Sequence, residues 1–472
     1  MCIRDRPAEV RTHWLHALVT AANRVEASLQ CESLLAELGI SSERESGKMY
    51  VGRYPFYEDC ARTAEVRFGR TLRDELQTGL APVLELYRHL TRAVAAELHG
   101  AYGAVYDGFA GAGGEVDFLS WYRASRELPQ LGAIAARLRA AIAGAWDARL
   151  PAAPGAEEIA VAPELLHAVA EQLAGLALAP DDGPDVLGAA IHSPDVMLAA
   201  ASVEAVARGE YRIVLGEVHP AVHTVAQPVA APFCDARDVL EREVEALLAP
   251  GRMLLADPPG TYQRSNINWP RCATLYEVVM PGSTSRLAPE QRVSSGACVV
   301  RRRGARLELV DRASGRVEDL VSAVPGDLHR LLFALAGDLI APSHGARVRL
   351  GRAVLKRRKW TVDPATLPPV ERPAESAAAF ARLGRWGRSL GMPRHVFFKA
   401  PQETKPIFLD FENPLALDLF LKIARQSERL TISEMLPGPD ELWLCDGRGA
   451  FTAEFRMTFF QPTASRAVLA GR

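Results

Sequence analysis

Several features that would place a chain quickly are missing from this one. Of its 472 residues only seven are cysteines, at positions 2, 31, 60, 234, 272, 298 and 445, an odd number with no CxxC spacing. That fits reduced thiols in the cytoplasm better than a disulfide framework or a cysteine zinc site. No apolar run approaches the roughly 18 residues that a membrane span needs. The longest, such as DLHRLLFALAGDLIA, are interrupted by charge. Met1 to Arg6 contain no apolar core of a secretory signal; they read as a scar of sequence assembly and are set aside. Neither sign of charge is in excess, with 55 Lys and Arg against 57 Asp and Glu. The overall field therefore recommends neither nucleic acid nor a membrane surface, and local clusters must carry any such claim. Also absent are GxxxxGK[ST], a GxGxxG after a strand, HExxH and GxSxG, which removes support from the common nucleotide, zinc-protease and hydrolase readings.

What is present is an ordinary globular balance, 48% hydrophobic and 24% charged, in a chain long enough for two or three domains. The first third is helical in pattern. Leu72, Leu76, Leu80, Leu84 and Leu86 recur at near-helical spacing, with Pro82 predicting a break or kink. LPQLGAIAARLRAAIAGAW and ELLHAVAEQLAGLAL predict further helices, and PAAPGAEE a connection between them. From about Val161 β-rich runs become frequent. GAAIHSPDVMLAA reads as a partly buried strand or loop, YRIVLGEVHP as a strand, and CVVRRRGARLELV as two strands around Gly304. DVLEREVEALLA and PLALDLFLKIARQ return to helix, whereas RVRLGRAVLKRRKW, RHVFFKAP, KPIFLDF and ELWLCDGRGAFTAEFRMTFF are strand-like. The expected fold class is α+β: a helix-rich first third, then mixed, largely antiparallel sheets with packed helices.

Three polar clusters lie in apolar surroundings. GRYPFYEDCAR sets Arg53, Asp59 and Arg62 among aromatics; HSPDVMLAA puts Ser193 and Asp195 beside a hydrophobic run; TYQRSNINWPR supplies Arg264, Asn266 and Arg271. Burying such charges is costly unless they pair, so Arg to Asp ties between segments explain any one cluster as well as catalysis does. His219 and His223 are four apart, the metal-binding spacing of a helix, but Pro220 and the preceding β-branched run argue for a strand end instead. RRR at 301–303 and KRRK at 356–359 suit phosphate, yet each alone reads more simply as a solvated strand edge.

The blocks GRYPFYEDCAR, IHSPDVMLAAASVEAVARGEYRIVLGEVHPAVHT, QRSNINWPR, PRHVFFKAPQETKPIFLDFENPLALDLFLKIAR and ISEMLPGPDELWLCDGRGAFTAEFRM, in this order, resemble the N-terminal domain of lantibiotic dehydratases. The resemblance runs from about Gly47 to Phe460 and makes 7–155 the helix-rich part, and 156–462 the mixed α/β part, of one glutamylation domain. It implies an enzyme that takes glutamate from glutamyl-tRNA, as co-substrate and with no bound cofactor or metal, and esterifies Ser or Thr of a ribosomal precursor peptide. An elimination domain or separate elimination subunit then expels the glutamate. The family's earlier RTPFG-like stretch, its leader-gripping winged helix and the elimination domain are not visible, so the chain is expected to be a fragment and inactive alone. A homodimer is compatible with the resemblance. Acyl transfer needs a positioned hydroxyl, a proton acceptor and positive charge for the oxyanion and tRNA phosphates. The catalytic candidates are Arg53, Asp59, Arg62, Asp195 and Arg264; the substrate-binding candidates are Glu217, His219, Asn266 and Arg271, with Glu217 and His219 also able to serve as general bases. The alternatives are a peptide aminoacyl-tRNA ligase, which appends a residue to a carrier peptide's C-terminus, and a non-catalytic tRNA- or peptide-binding module.

In the full-length enzyme, Arg264→Ala is expected to abolish transfer with the fold intact. Mass spectrometry of the precursor beside circular dichroism checks this, and an unchanged product yield removes Arg264 from the site.

Overall fold

The computed structural model describes residues 24–39, 66–109, 114–126, 128, 130–150, 155–179, 185–220, 251–255, 275–283, 285, 287–369, 377–403, 405–446 and 448–460. The chain divides into two compact units. The first comprises residues 1–66, 227–235 and 260–268, of which helix Arg24–Glu37 is described. Everything below concerns the second unit.

Its core is organised by one helix, Arg70–Asp107, 38 residues long. Leu76, Leu80, Val83, Leu86, Leu90, Val94 and Leu98 recur every three or four positions and are at most 2% exposed, so a single apolar stripe faces inward along the helix. Of the break or kink expected at Pro82, the break does not occur: the helix runs through it. An interior proline costs about 3 kcal/mol through a lost hydrogen bond and a steric clash. Burying each neighbouring leucine contributes about 2 kcal/mol, so tertiary packing outweighs the local penalty. Helices Leu131–Asp147, Pro163–Ala174 and Gly326–Ala336 pack around this stripe. Among the described residues no helix is long and apolar enough to cross a membrane.

The helices cover one face of a seven-stranded mixed sheet. Its order is Glu454–Arg456, Ile191–Ala199, Arg212–Pro220, Ala353–Lys356, Arg347–Leu350 and Glu158–Val161, with Phe459–Phe460 also pairing to Ile191–Ala199. The pairings of Arg212–Pro220 with Ala353–Lys356, and of Arg347–Leu350 with Glu158–Val161, are parallel. Val196, Leu198, Ile213, Leu215, Ala353 and Leu355 alternate along their strands to enter the helical core, while Ala199, Val214, Val354 and Leu436 form a small cluster of their own. A three-stranded sheet, Arg252–Leu255, Leu275–Val279 and Arg292–Ser294, is wholly parallel. The turn at Gly304 joins strands Cys298–Arg303 and Arg306–Asp311 as the sequence predicts, Gly304 taking φ +57°. The described cysteines of this unit, Cys298 and Cys445, are free thiols. The architecture is α+β, and the segment DVLEREVEALLA lies outside the described residues.

A buried polar network ties the long helix to these sheets. His99 Nδ1 accepts from the Leu307 amide at 3.1 Å, so its Nε2 carries the proton donated to Asp319 at 2.8 Å. Asp319 also caps helix Leu320–Ala323 through the Ser322 amide. Beside it, the fully buried Glu318 receives Arg252 at 2.7 Å and the amide of Met253. Burial raises the Glu318 carboxyl in spite of that guanidinium.

A second buried histidine is not compensated in this way. His192 is 2% exposed, and its Nε2 has no hydrogen-bond partner among the described residues. Burial first, then the charges of Arg88 and Arg92, lower its pKa from 6.5 to about 3. As pH falls the unfolded chain protonates at this position before the folded one, so stability drops below pH 6.5 and continues to drop toward pH 3. Urea denaturation is expected to show His192→Gln losing less stability on acidification than the native chain, by about 1.4 kcal/mol per pH unit below the unfolded pKa. Parallel pH dependence in the two proteins contradicts it.

Candidate functional site

Of the nine predicted site residues, Asp195, Glu217 and His219 are described and lie together. Arg53, Asp59, Arg62, Arg264, Asn266 and Arg271 lie outside the described residues, as does His223. Of the segments that supply these candidates, the structure describes HSPDV and LGEVH.

Those two parts meet because strands Ile191–Ala199 and Arg212–Pro220 pair antiparallel, with Ser193 opposite His219. The register slips between Pro194 and Val196, a bulge that turns Asp195 toward Gly216. A Cβ on Gly216 would stand 3.1 Å from both Cβ and the carbonyl oxygen of Asp195, so the close approach requires glycine. Asp195 is buried and fully engaged. Arg456 on the edge strand grips it with both arms of its fork, Nε to Oδ1 at 2.6 Å and Nη2 to Oδ2 at 2.7 Å. His219 Nε2 reaches Oδ2 at 2.9 Å. Burial alone would raise the Asp195 carboxyl, but hydrogen bonds from His219 and Arg456 outweigh it and hold the group below the usual carboxylate range. An ionised carboxylate only accepts, so Nε2 of His219 carries the proton and Nδ1 is the nitrogen left as an acceptor. The His219 ring meets the exposed Phe333 edge-on at 5.7 Å.

Two more carboxylates border this group. Glu217 Oε2 is 3.8 Å from His219 Nε2 and its side chain is 65% exposed. Glu454, two residues before Arg456 and thus on the same side of its strand, is pushed up by partial burial and then by the Asp195 charge. Met457 donates its amide to the Pro194 carbonyl at 3.2 Å. It also lines a hollow of about 420 Å³ with Phe68, Leu76, Phe459 and Phe460. The cluster thus combines an oriented imidazole, carboxylates of unequal proton affinity and an adjoining apolar space. Sequence reasoning missed Arg456 and Glu454. Their signal was the alternation in AEFRM, which places both charges on one side of a strand.

Of the two basic runs, RRR keeps the exposure of a solvated edge at Arg302 and Arg303, while KRRK departs from it. Arg301 and Arg303 pair with Glu308, and Arg302 with Asp107 while lying 5.0 Å from the Tyr106 ring centre. In KRRK the first two residues turn inward. Lys356 donates to the carbonyls of Ala341 and His344, both at 2.6 Å, and burial followed by the charge of Lys359 lowers its pKa to about 8. Arg357 donates to the Leu436 carbonyl at 2.9 Å. The expectation of a solvated edge is corrected for these two: they satisfy backbone oxygens where loops meet the sheet. Among the described residues, no group of three or more His, Cys, Asp or Glu side chains could hold a metal ion.

No family model matches the chain, and no curated protein does. Solved structures do. The glutamylation domain TbtB from thiomuracin biosynthesis matches at 19% identity and TM-score 0.54, over 82% of this chain and 50% of that one. The same domain "bound to 5'-phosphodesmethylglutamycin" matches at 20% identity and TM-score 0.53, with the same coverage. This chain has the fold of a glutamylation domain. It spans about half the length of the TbtB chains. The tRNA-dependent lantibiotic dehydratase MibB from Microbispora sp. 107891 matches more loosely, at 19% identity and TM-score 0.44 over 65% of this chain and 30% of that one. The shared glutamylation-domain fold agrees with the resemblance read from the sequence blocks.

Gly216→Ala is expected to destabilise the unit by about 1 to 3 kcal/mol, because Asp195 and the backbone beside it must give way. Urea denaturation measures the loss, and a change below about 0.5 kcal/mol would show that the strand pair accommodates a methyl group.

Proposed function

We propose that the chain is the glutamyl-transferring part of a peptide-modifying enzyme: it moves glutamate from glutamyl-tRNA to a Ser or Thr hydroxyl of a ribosomal precursor peptide. The observation that carries this reading is the Asp195, His219 and Arg456 cluster, set on the paired strands of a glutamylation-domain fold. Asp195 fixes the tautomer and orientation of His219, as a buried carboxylate does for a catalytic imidazole. Nδ1 of His219 then takes the proton of the peptide hydroxyl as its oxygen attacks the glutamyl ester carbon. The bond from that carbon to the terminal ribose oxygen of the tRNA breaks, and the ribose oxygen receives the proton. The products are a glutamyl ester on the peptide and free tRNA, so charge and atoms balance without an added reactant.

Arg53, Arg62 and Arg264 are the proposed cations for the tRNA end or the glutamyl carboxylate, with Asp59, Asn266 and Arg271 as their neighbours in sequence. Glu217 stands at the exposed side of His219, where an incoming peptide amide would meet it. The hollow beside Met457 suits an apolar side chain next to the reacting hydroxyl. Elimination of glutamate, in a further domain or a separate subunit, and residence in the cytoplasm where charged tRNA is found complete the proposal.

In the full-length enzyme His219→Asn is expected to slow glutamyl transfer by about a hundredfold or more. Asp195→Asn is expected to act in the same direction because it misorients the ring. Mass spectrometry of the precursor incubated with glutamyl-tRNA reads the outcome. Full glutamylation by both variants removes the cluster from the chemistry, and an amide-linked residue at the peptide C-terminus assigns the chain to ligation.

A further inference from the structure

Between two strands of the central sheet, residues 359–434 build a separate four-stranded sheet from the element sequence βαββαβ. Its strands are Lys359–Val362, His395–Lys399, Ile407–Asp410 and Leu430–Glu434, all antiparallel to their neighbours. Helices Ala377–Ser389 and Pro414–Ala424 cover one face through Leu383, Leu417, Phe420 and Leu421, packed on Val396, Phe398, Leu409 and Ile432. Strand alternation sends the remaining side chains to the other face. There the register aligns Phe408, Phe397, Ser433 and Lys359 in one row across all four strands. Lys399, Thr431 and Thr361 make the next row, and all three are exposed.

The aromatic groups form a continuous patch. Phe408 is 45% exposed, its centroid 6.0 Å from Phe397 and 5.9 Å from His395, whose ring is stacked nearly parallel to it at 17°. His395 pairs across the sheet with Asp410, which Arg394 clamps at 2.8 and 2.9 Å while also pairing with Glu412. The two rows themselves carry no carboxylate, and their charges are Lys359 and Lys399. Lys359 also borders a cleft of about 680 Å³ shared with Ser343, His344 and Arg358.

Such a face is a poor protein interface: apart from its few rings it presents Lys, Thr and Ser, and lysine is depleted where proteins pack together. It matches an unpaired polynucleotide, whose bases stack on exposed rings while its phosphates meet lysines a few ångströms away. We propose that this open sheet face binds single-stranded RNA by stacking bases on Phe408, Phe397 and His395, with Lys359 and Lys399 meeting the backbone phosphates. The proposal deepens the glutamyl-tRNA reading and rests on it for the RNA's identity, an unpaired segment of that tRNA. It needs no acyl transfer, however, and is tested without it.

The test uses the full chain and an unacylated, fluorescein-labelled single-stranded RNA of about eight nucleotides, followed by anisotropy. Phe408→Ala is expected to weaken binding about five- to a hundredfold, whereas Phe408→Tyr, which keeps the ring, retains it. Lys399→Gln is expected to weaken binding and to lower the slope of log affinity against log salt by about 0.7. Leu415→Ala, on the helical side and 71% exposed in the native chain, serves as the unchanged control. Circular dichroism confirms the fold, and the Tyr and Gln variants decide the matter if the alanine variant does not fold. Affinity indifferent to Phe408 and Lys399, or a dimer that Phe408→Ala converts to monomer, overturns the proposal. RNA binding lost with Phe408 while His219→Asn still transfers glutamate leaves the platform standing and removes the proposed chemistry.

Discussion

The paired strands around Asp195 depend on one buried carboxylate being satisfied from two directions. A lone carboxylate in that position would cost several kcal/mol in desolvation. The forked guanidinium of Arg456 and the imidazole of His219 together occupy both its oxygens. One interaction thereby does two jobs. It fastens the C-terminal edge strand to the central sheet across 261 positions of sequence, and it fixes which nitrogen of His219 carries hydrogen. Stability and chemical readiness are coupled here, since whatever loosens the edge strand also frees the imidazole.

Elsewhere the molecule spends its positive charge on internal ties rather than on an external field. Arg347 joins Glu158 to Glu434 and thereby links the parallel strand pair to the four-stranded sheet. Arg252 serves Glu318, and Lys356 holds two carbonyls of one loop, at a residue, Ala341, whose φ is +39°. A backbone of that kind is strained for alanine and persists because its surroundings over-determine it. Near-neutral net charge thus coexists with a number of cations already committed inside the fold.

Much of this architecture was legible in the chain. Alternation at 298–311 and 395–410 marked strands, and the leucine spacing of 72–86 marked the long helix, because both signals arise within a few residues. The α+β class followed from the order of those elements. The parallel pairings of the central sheet were not legible, since contact between positions 158 and 347 leaves no local trace. Pro82 misled because its penalty is local while the compensation is tertiary. KRRK misled because the carbonyls that draw Lys356 and Arg357 inward, at Ala341, His344 and Leu436, are brought there by the fold and leave no mark in the run itself. At the site, HSPD was recognised for embedded charge and LGEVH for possible general bases, and their meeting gave Asp195, Glu217 and His219 a shared setting. Arg456 escaped because an arginine on an exposed strand looks like any other until its partner is known.

The βαββαβ unit opens at Lys359 and closes at Glu434, and Lys359 pairs directly with Ser433. Entrance and exit are thus neighbours, lying between Ala353–Lys356 and Glu454–Arg456 of the central sheet. Such an insertion behaves like a side loop in wiring terms: its sequence can lengthen, shrink or be exchanged without rethreading the strands that carry His219. A lineage could therefore retune one end of the molecule at its own pace while the other stays unaltered.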